Sequence, residues 1–228
     1  MSQTGVVTRL ALRELWISFR LLVLLAAYVG AGAAVALLPA PLATVLVRLA
    51  VGVAAAMVVG AAIAGWSLSR ERALGRAAWL ATRSIPRGTI LVGWFIALAL
   101  VSILGIVAVA VLGWLAASAP VAALDPFAFG LTFAAIACGA IGMLALGLLA
   151  GTLLRPSLAA IVAAVVGVAV GGAAWLGLPR IEIPVEALAQ LPELSSPISV
   201  AIQGAGAGLA AAGVLLLIAR VAFNRVDL

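Results

Sequence analysis

The side chains that could do chemistry in this 228-residue chain are few, and arginine dominates them. There are thirteen basic residues, all arginine, seven acidic ones, no histidine and one cysteine. Without histidine, zinc-enzyme motifs and histidine-ligated haem are excluded. Cys138 lies in an apolar run, so no disulfide framework exists. No HExxH, no GxSxG and no paired intramembrane aspartates occur, so no catalytic residue is assigned. No GxxxxGK[ST] occurs either, so the chain has no P-loop with which to hold ATP. An ionisable residue inside an apolar span usually marks an ion or proton path. Here the apolar runs hold only Arg48, near the end of one of them. Arg48 either snorkels to headgroups or touches a substrate.

Two stretches concentrate charge outside the apolar runs. Between residues 4 and 20, Leu12, Leu15, Trp16 and Phe19 fall at i, i+3, i+4 and i+7, one helical face. Arg9, Arg13 and Arg20 form a stripe within about 40°. That pattern predicts an amphipathic interfacial helix, its arginines at lipid phosphates. The second stretch, Ser69 to Thr89, repeats the spacing with Arg72, Arg76 and Arg83, which predicts a short helix ended by Ile85-Pro86.

Composition says what must position these groups. Hydrophobic residues make up 67% and charged residues 9%, and the mean hydropathy is +1.36. A soluble domain is nearer half apolar and a quarter charged. Lipid must therefore be the solvent for much of the surface. Breaks with turn chemistry (Pro39-Ala40-Pro41, Ile85-Pro86-Arg87-Gly88, Asp125-Pro126, Arg155-Pro156, Leu178-Pro179) divide the chain into six expected spans. They are 21–38, 43–69, 90–117, 129–154, 157–178 and 198–219. The first run lacks a convincing cleavage site, so it is read as a span and not as a leader. The fold expected is a single all-α integral membrane domain, 1–228, with an interfacial helix about 4–20, an inner loop 70–89 and a proline-punctuated outer segment 179–197. That segment interleaves Glu182, Glu186 and Glu193 with Ile181, Ile183, Val185, Leu188 and Leu191.

Arginine placement orients the whole. Arg9, Arg13, Arg20, Arg70, Arg72, Arg76, Arg83, Arg87, Arg155, Arg220 and Arg225 fall on one side, and only Arg48 and Arg180 on the other. By the positive-inside rule both termini are cytoplasmic. The net charge of +6 is thus a topology signal, and no nucleic-acid partner is expected. The expected location is the bacterial inner (plasma) membrane, with membrane lipids as partners.

Glycines recur at GxxxG spacing in Gly147/Gly151, Gly167/Gly171 and Gly204/Gly208. Such pairs let helices approach closely, within one chain or across a dimer seam. The run Gly204-Ala205-Gly206-Ala207-Gly208 suits a seam or a moving contact. Trp114 and Trp175, near span ends, read as interfacial anchors.

The inner loop reads Glu71-Arg72-Ala73-Leu74-Gly75, then Trp79-Leu80, then Ser84-Ile85-Pro86-Arg87-Gly88-Thr89-Ile90-Leu91-Val92-Gly93. It resembles the loop between the second and third spans of ABC-2 type transporter permeases. There a Glu precedes a Gly-Thr pair, a leucine-rich stretch, a Pro-x-Ser-Arg turn and an Ile/Leu-rich span start ending Gly-Lys. Glu71, Gly75, Leu80, Arg87, Ile90, Leu91 and Gly93 fall at matching places. Arg76 stands where Thr is usual, Ser84 and Pro86 are in swapped order, and Trp94 replaces Lys. The layout of interfacial helix, six spans, helical inner loop and outer segment is similar over nearly the whole length.

The resemblance implies the transmembrane permease subunit of an ATP-driven ABC transporter, and export, since the family mostly exports. It implies a separate ATPase subunit as partner, carrying the ATP and Mg, and a second permease subunit, identical or homologous. This chain then binds no cofactor and no metal. The docking and coupling residues it implies are Glu71, Arg72, Gly75, Arg76, Arg83 and Arg87, with Arg9 and Arg13 on the N-terminal helix. The plainer reading is that these arginines only hold topology. Other functions consistent with the residues are a non-transporting anchor or regulatory subunit, and a secondary transporter or channel.

Overall fold

The structure is a computed structural model that describes residues 2–36, 42–82, 85–116, 126–175 and 196–225. All the elements among them are helices. They are α1 (Gln3–Ile17), α2 (Arg20–Ala36), α3 (Leu42–Ala73), α4 (Arg76–Thr82), α5 (Arg87–Ala116), α6 (Pro126–Leu153), α7 (Pro156–Trp175) and α8 (Ser196–Arg225).

Local chemistry sets the breaks. Ser2 caps α1, its Oγ accepting from the Gly5 N–H at 3.2 Å. At the other end Ser18 Oγ donates back to the Glu14 carbonyl at 2.6 Å, and Phe19 takes a left-handed φ of 59°. The chain then leaves α1 at 76° to enter α2. Gly75, at φ 70°, ends α3 in the same way, where a residue without Cβ adopts the left-handed region at little cost. Prolines open α6 and α7 at Pro126 and Pro156, where a missing N–H is harmless.

Four helical stretches are long and apolar enough to cross a membrane: Leu49–Ala73, Arg87–Trp114, Gly130–Leu153 and Ile202–Arg225. The bent pair α1–α2 makes a fifth if it is counted as one span. The stretch expected as the span 157–178 is helical over Pro156–Trp175, and its apolar portion Pro156–Val170 is shorter than the four. Most of the outer segment, with Glu182, Glu186 and Glu193, lies outside the described residues, as do Arg83 and Arg180. The backbone at Arg48 is within α3.

α3 packs on α2, α4, α5, α6 and α7, α6 on α3, α5, α7 and α8, and α5 on α1, α2, α3, α4, α6 and α8, so these three helices form the centre. Leu24, Tyr28, Leu68, Leu98, Ile106, Leu144 and Leu148 are fully buried there. The outside is just as apolar. Leu104 and Val107 on α5, Ile161, Val165 and Val168 on α7, and Leu217 and Ile218 on α8 are all exposed. Apolar side chains inside and out are what a bundle in lipid needs. Without a water-driven force between helices, backbone proximity does the holding. A Cβ at Gly147 would overlap the Ala61 carbonyl oxygen, and one at Gly151 would lie 2.6 Å from the Gly65 carbonyl oxygen. A Cβ at Gly208 would lie 2.7 Å from the Cys138 backbone, seating α8 on α6. At Gly167 the neighbour is the flexible end of Met143, and Gly171 lies in the same helix. Gly204 and Gly206 meet nothing within 4 Å. The expected Gly204/Gly208 pair therefore divides: Gly208 is an intrachain contact, and Gly204 faces outward.

The face expected for the N-terminal helix is also corrected. Val7, Ala11 and Leu15, at i, i+4 and i+8, are the buried stripe, and Val7 sits on Gly93 of α5. Leu12 packs against the core, but Trp16 and Phe19 are 60% and 67% exposed. Phe19 drops out because the break at Ser18-Phe19 ends the helical register before it, and Trp16, within α1, lies off the Val7/Ala11/Leu15 stripe. The same break removes Arg20 from the Arg9/Arg13 stripe. Arg20 opens α2 and turns inward.

Candidate functional site at the arginine-rich end

Hydrogen bonds gather the expected inner residues at one end of the bundle. Arg20 joins α2 to α3 through Ser67, Arg72 joins α3 to α6, and Arg87 joins α5 to Asn224 in α8. Arg220 of α8 lies beside Gly88. One end of five helices is therefore built from arginines and the groups that hold them.

The centre of this end is a carboxylate–guanidinium–carboxylate bridge. Arg76, the first residue of α4, donates from Nη1 to Glu14 of α1 at 2.9 Å and to Glu71 of α3 at 3.2 Å. Glu71, with Glu14, holds the Arg76 guanidinium above its ordinary range. The Arg76 side chain remains 48% exposed, so solvent weakens the pairs, and each contributes under about 1 kcal/mol. The value of the bridge is geometric: it fixes α4 against two other helices. Ala77 and Leu80 press α4 onto the core.

Two of the expected docking arginines donate to backbone carbonyls at helix ends. Arg72 Nη1 donates to the carbonyls of Gly151, at 2.9 Å, and Thr152. Those carbonyls belong to the last turn of α6, which has no intrahelical donors left. Ser69 Oγ caps the Leu154 carbonyl beside them. Arg87 Nη1 similarly donates to the Asn224 carbonyl at the end of α8, at 3.2 Å. Each cation also meets the negative end of a helix dipole.

The expectation that Glu71 and Arg72 sit on the loop helix is corrected by the same geometry. Gly75 separates them from α4, and both lie in the last turn of α3. Glu71 is buried, which leaves it no outward face. The outward groups are Arg9 and Arg13 on α1, Leu74 and Gly75 at the α3–α4 corner, Trp79 on α4, and half of Arg76. Arg83 lies outside the described residues.

Sequence reasoning passed over Glu14, Ser67 and Ser69. Glu14 had a signal, being the only acid before Glu71 in a segment otherwise charged by arginine. Ser67 and Ser69 had none, because their role depends on which helix ends lie beside them. Among the described residues no group of three or more His, Cys, Asp or Glu side chains could hold a metal. No family model matches the chain, and no curated protein matches it either.

Proposed function

We propose that the chain is the transmembrane permease subunit of an ATP-driven ABC exporter, energised by a separate ATPase subunit. In this reading α1 is an interfacial helix on the cytoplasmic leaflet and six spans follow, with both termini in the cytoplasm of a bacterial inner membrane. A second permease subunit, identical or homologous, completes the transporter. The ATP and Mg belong to the partner.

The observation that carries the reading is α4. It is a short helix between two long ones, tied through Arg76 to α1 and α3 and seated on the core through Ala77 and Leu80. A rigid piece of this kind converts a push from below into a shift of the helices it is tied to. α3 carries it there: 32 residues span about 48 Å, longer than a hydrocarbon core of about 30 Å, so its charged end emerges from the bilayer. The docking surface assigned on this reading is Gly75, Leu74, Arg76, Arg9 and Arg13, and the resemblance adds Arg83. Glu71, Arg72 and Arg87 hold that surface in place. The apolar, glycine-packed interior favours a hydrophobic or lipid-like substrate moving along the seam between two subunits.

The test is a mild-detergent pull-down of the tagged protein from its native host, with mass spectrometry and an ATPase assay on the eluate. A co-purifying P-loop ATPase with vanadate-sensitive hydrolysis supports the permease. An intact preparation without an ATPase rejects it in favour of an anchoring or channel-forming protein.

A further inference from the structure

Arg20 is the least exposed charged residue among the described residues. The residue is 4% exposed, and its Nη1 donates to Ser67 Oγ at 3.0 Å. Its guanidinium lies over the Trp66 ring, 4.7 Å from the centroid. Nε and Nη2 are buried and have no partner. These two nitrogens are not any pair. They share one edge of the guanidinium, the fork that accepts two oxygens of a phosphate or carboxylate side by side. Leaving such an edge empty in a low-dielectric place is costly.

No carboxylate among the described residues fills it. The charged groups within electrostatic reach are Arg70, Glu14, Glu71 and Arg76. Arg76 engages both glutamates. Counting Arg20, three cations face two anions, a net charge of 3 − 2 = +1. Arg20 also sits where a lipid headgroup would lie, at the first residue of α2 and beside the exposed Phe19, Ile17 and Trp16. Trp66, 41% exposed, covers one face of the guanidinium.

We propose that the Arg20 fork is a binding site for one phosphate oxyanion, presented by an anionic lipid headgroup, with Trp66 as its cover and Ser67 as the anchor of the opposite guanidinium edge. The site does not depend on whether the bundle transports anything. It depends only on the bundle lying in lipid. Anionic lipids concentrate in the cytoplasmic leaflet, the side that the arginines select.

The experiment is native mass spectrometry of the full chain, released from nanodiscs containing equal phosphatidylglycerol and phosphatidylcholine. The wild type is expected to retain one phosphatidylglycerol selectively. Arg20→Lys keeps the charge and loses the fork, and should retain it roughly tenfold less well, the scale of a charge-assisted hydrogen bond. Trp66→Ala, which leaves Arg20 in place, should retain it at least as well as the wild type. Arg155→Gln, at an exposed arginine outside the assigned surfaces, should change nothing. Inorganic phosphate separates the sources. If it displaces the bound lipid, the site takes free phosphate as well; if it does not, the headgroup needs its acyl anchor. Either result upholds the oxyanion site. Non-selective retention of the two lipids by the wild type, or equal retention by Arg20→Lys, overturns it.

Discussion

The Arg72 guanidinium donates to the Gly151 carbonyl at 2.9 Å, so the end of α3 is fastened to the end of a helix nearly eighty residues away in sequence. Its Nη1 also reaches Thr152, and its Nε is buried without a partner. Removing the side chain strands carbonyls that water reaches poorly. Arg72→Ala is expected to cost about 1–3 kcal/mol, seen as a lower melting temperature in detergent. Arg72→Lys should recover part of that, since one ammonium can still meet a carbonyl. A melting temperature unchanged by Arg72→Ala would mean that this cap is not formed.

The bridge through Arg76 leads to a different expectation. Glu14→Gln should lower stability by less than about 1 kcal/mol, because Arg76 keeps Glu71 and is half-exposed. Glu71→Gln should cost more, since Glu71 is the buried member. The double variant should cost more than the two singles summed, because each single leaves Arg76 one carboxylate and removes the repulsion between the two acids. Thermal melts of the four proteins check this. Simple additivity would show that the two carboxylates do not share one guanidinium.

Glycine substitutions should sort by what each Cβ would meet. Gly147→Ala and Gly151→Ala press a methyl into the backbone of α3, and each should cost about 1–3 kcal/mol. Gly204→Ala meets open space and should leave the isolated chain as stable as before, or slightly more so from helix propensity. If a second copy packs on that part of α8, Gly204→Leu should weaken dimer recovery in cross-linking while the melting temperature holds.

Phe19 holds a left-handed φ of 59° with a bulky side chain, at a cost of about 1–2 kcal/mol. Phe19→Asn should relieve part of that and raise the melting temperature in detergent. The ring is exposed next to Trp16 and Ile17, and on the proposed reading of α1 as an interfacial helix these three side chains meet the bilayer interface. In liposomes the same variant should show weaker protection of α1 from hydrogen exchange.

These relationships divide the fold into what could be read from sequence and what could not. Apolar run lengths, proline breaks and the one-sided arginines announced a helical membrane protein and brought the right residues to one end. Local periodicity then failed at Phe19 and Gly75, where single left-handed residues ended helices that charge spacing alone would continue. Arg72, Arg76 and Arg83 have the spacing of one face, yet Gly75 divides the first two between different helices. The caps on α6 and α8 were illegible for another reason. Which carbonyls Arg72 and Arg87 satisfy depends on which helix ends meet, and tertiary contact decides that.

Leu74 tests the docking surface without disturbing what holds it. It is 52% exposed at the corner that Gly75 creates. Leu74→Glu should therefore leave yield and melting temperature as in the wild type. It adds a negative charge beside Arg76, on a surface assigned to meet the ATPase through Arg9, Arg13 and Arg76. Recovery of the ATPase in a pull-down should fall several-fold, the scale of one interface residue worth about 1 kcal/mol or more. Arg155→Gln, an exposed arginine at the start of α7 and outside the assigned surface, should keep recovery at the wild-type level. Loss in both variants would point to general electrostatic attraction in place of a defined contact. Loss in neither would move the contact away from α4, and with it the main reason for treating this end of the bundle as the seat of an energy-coupling partner.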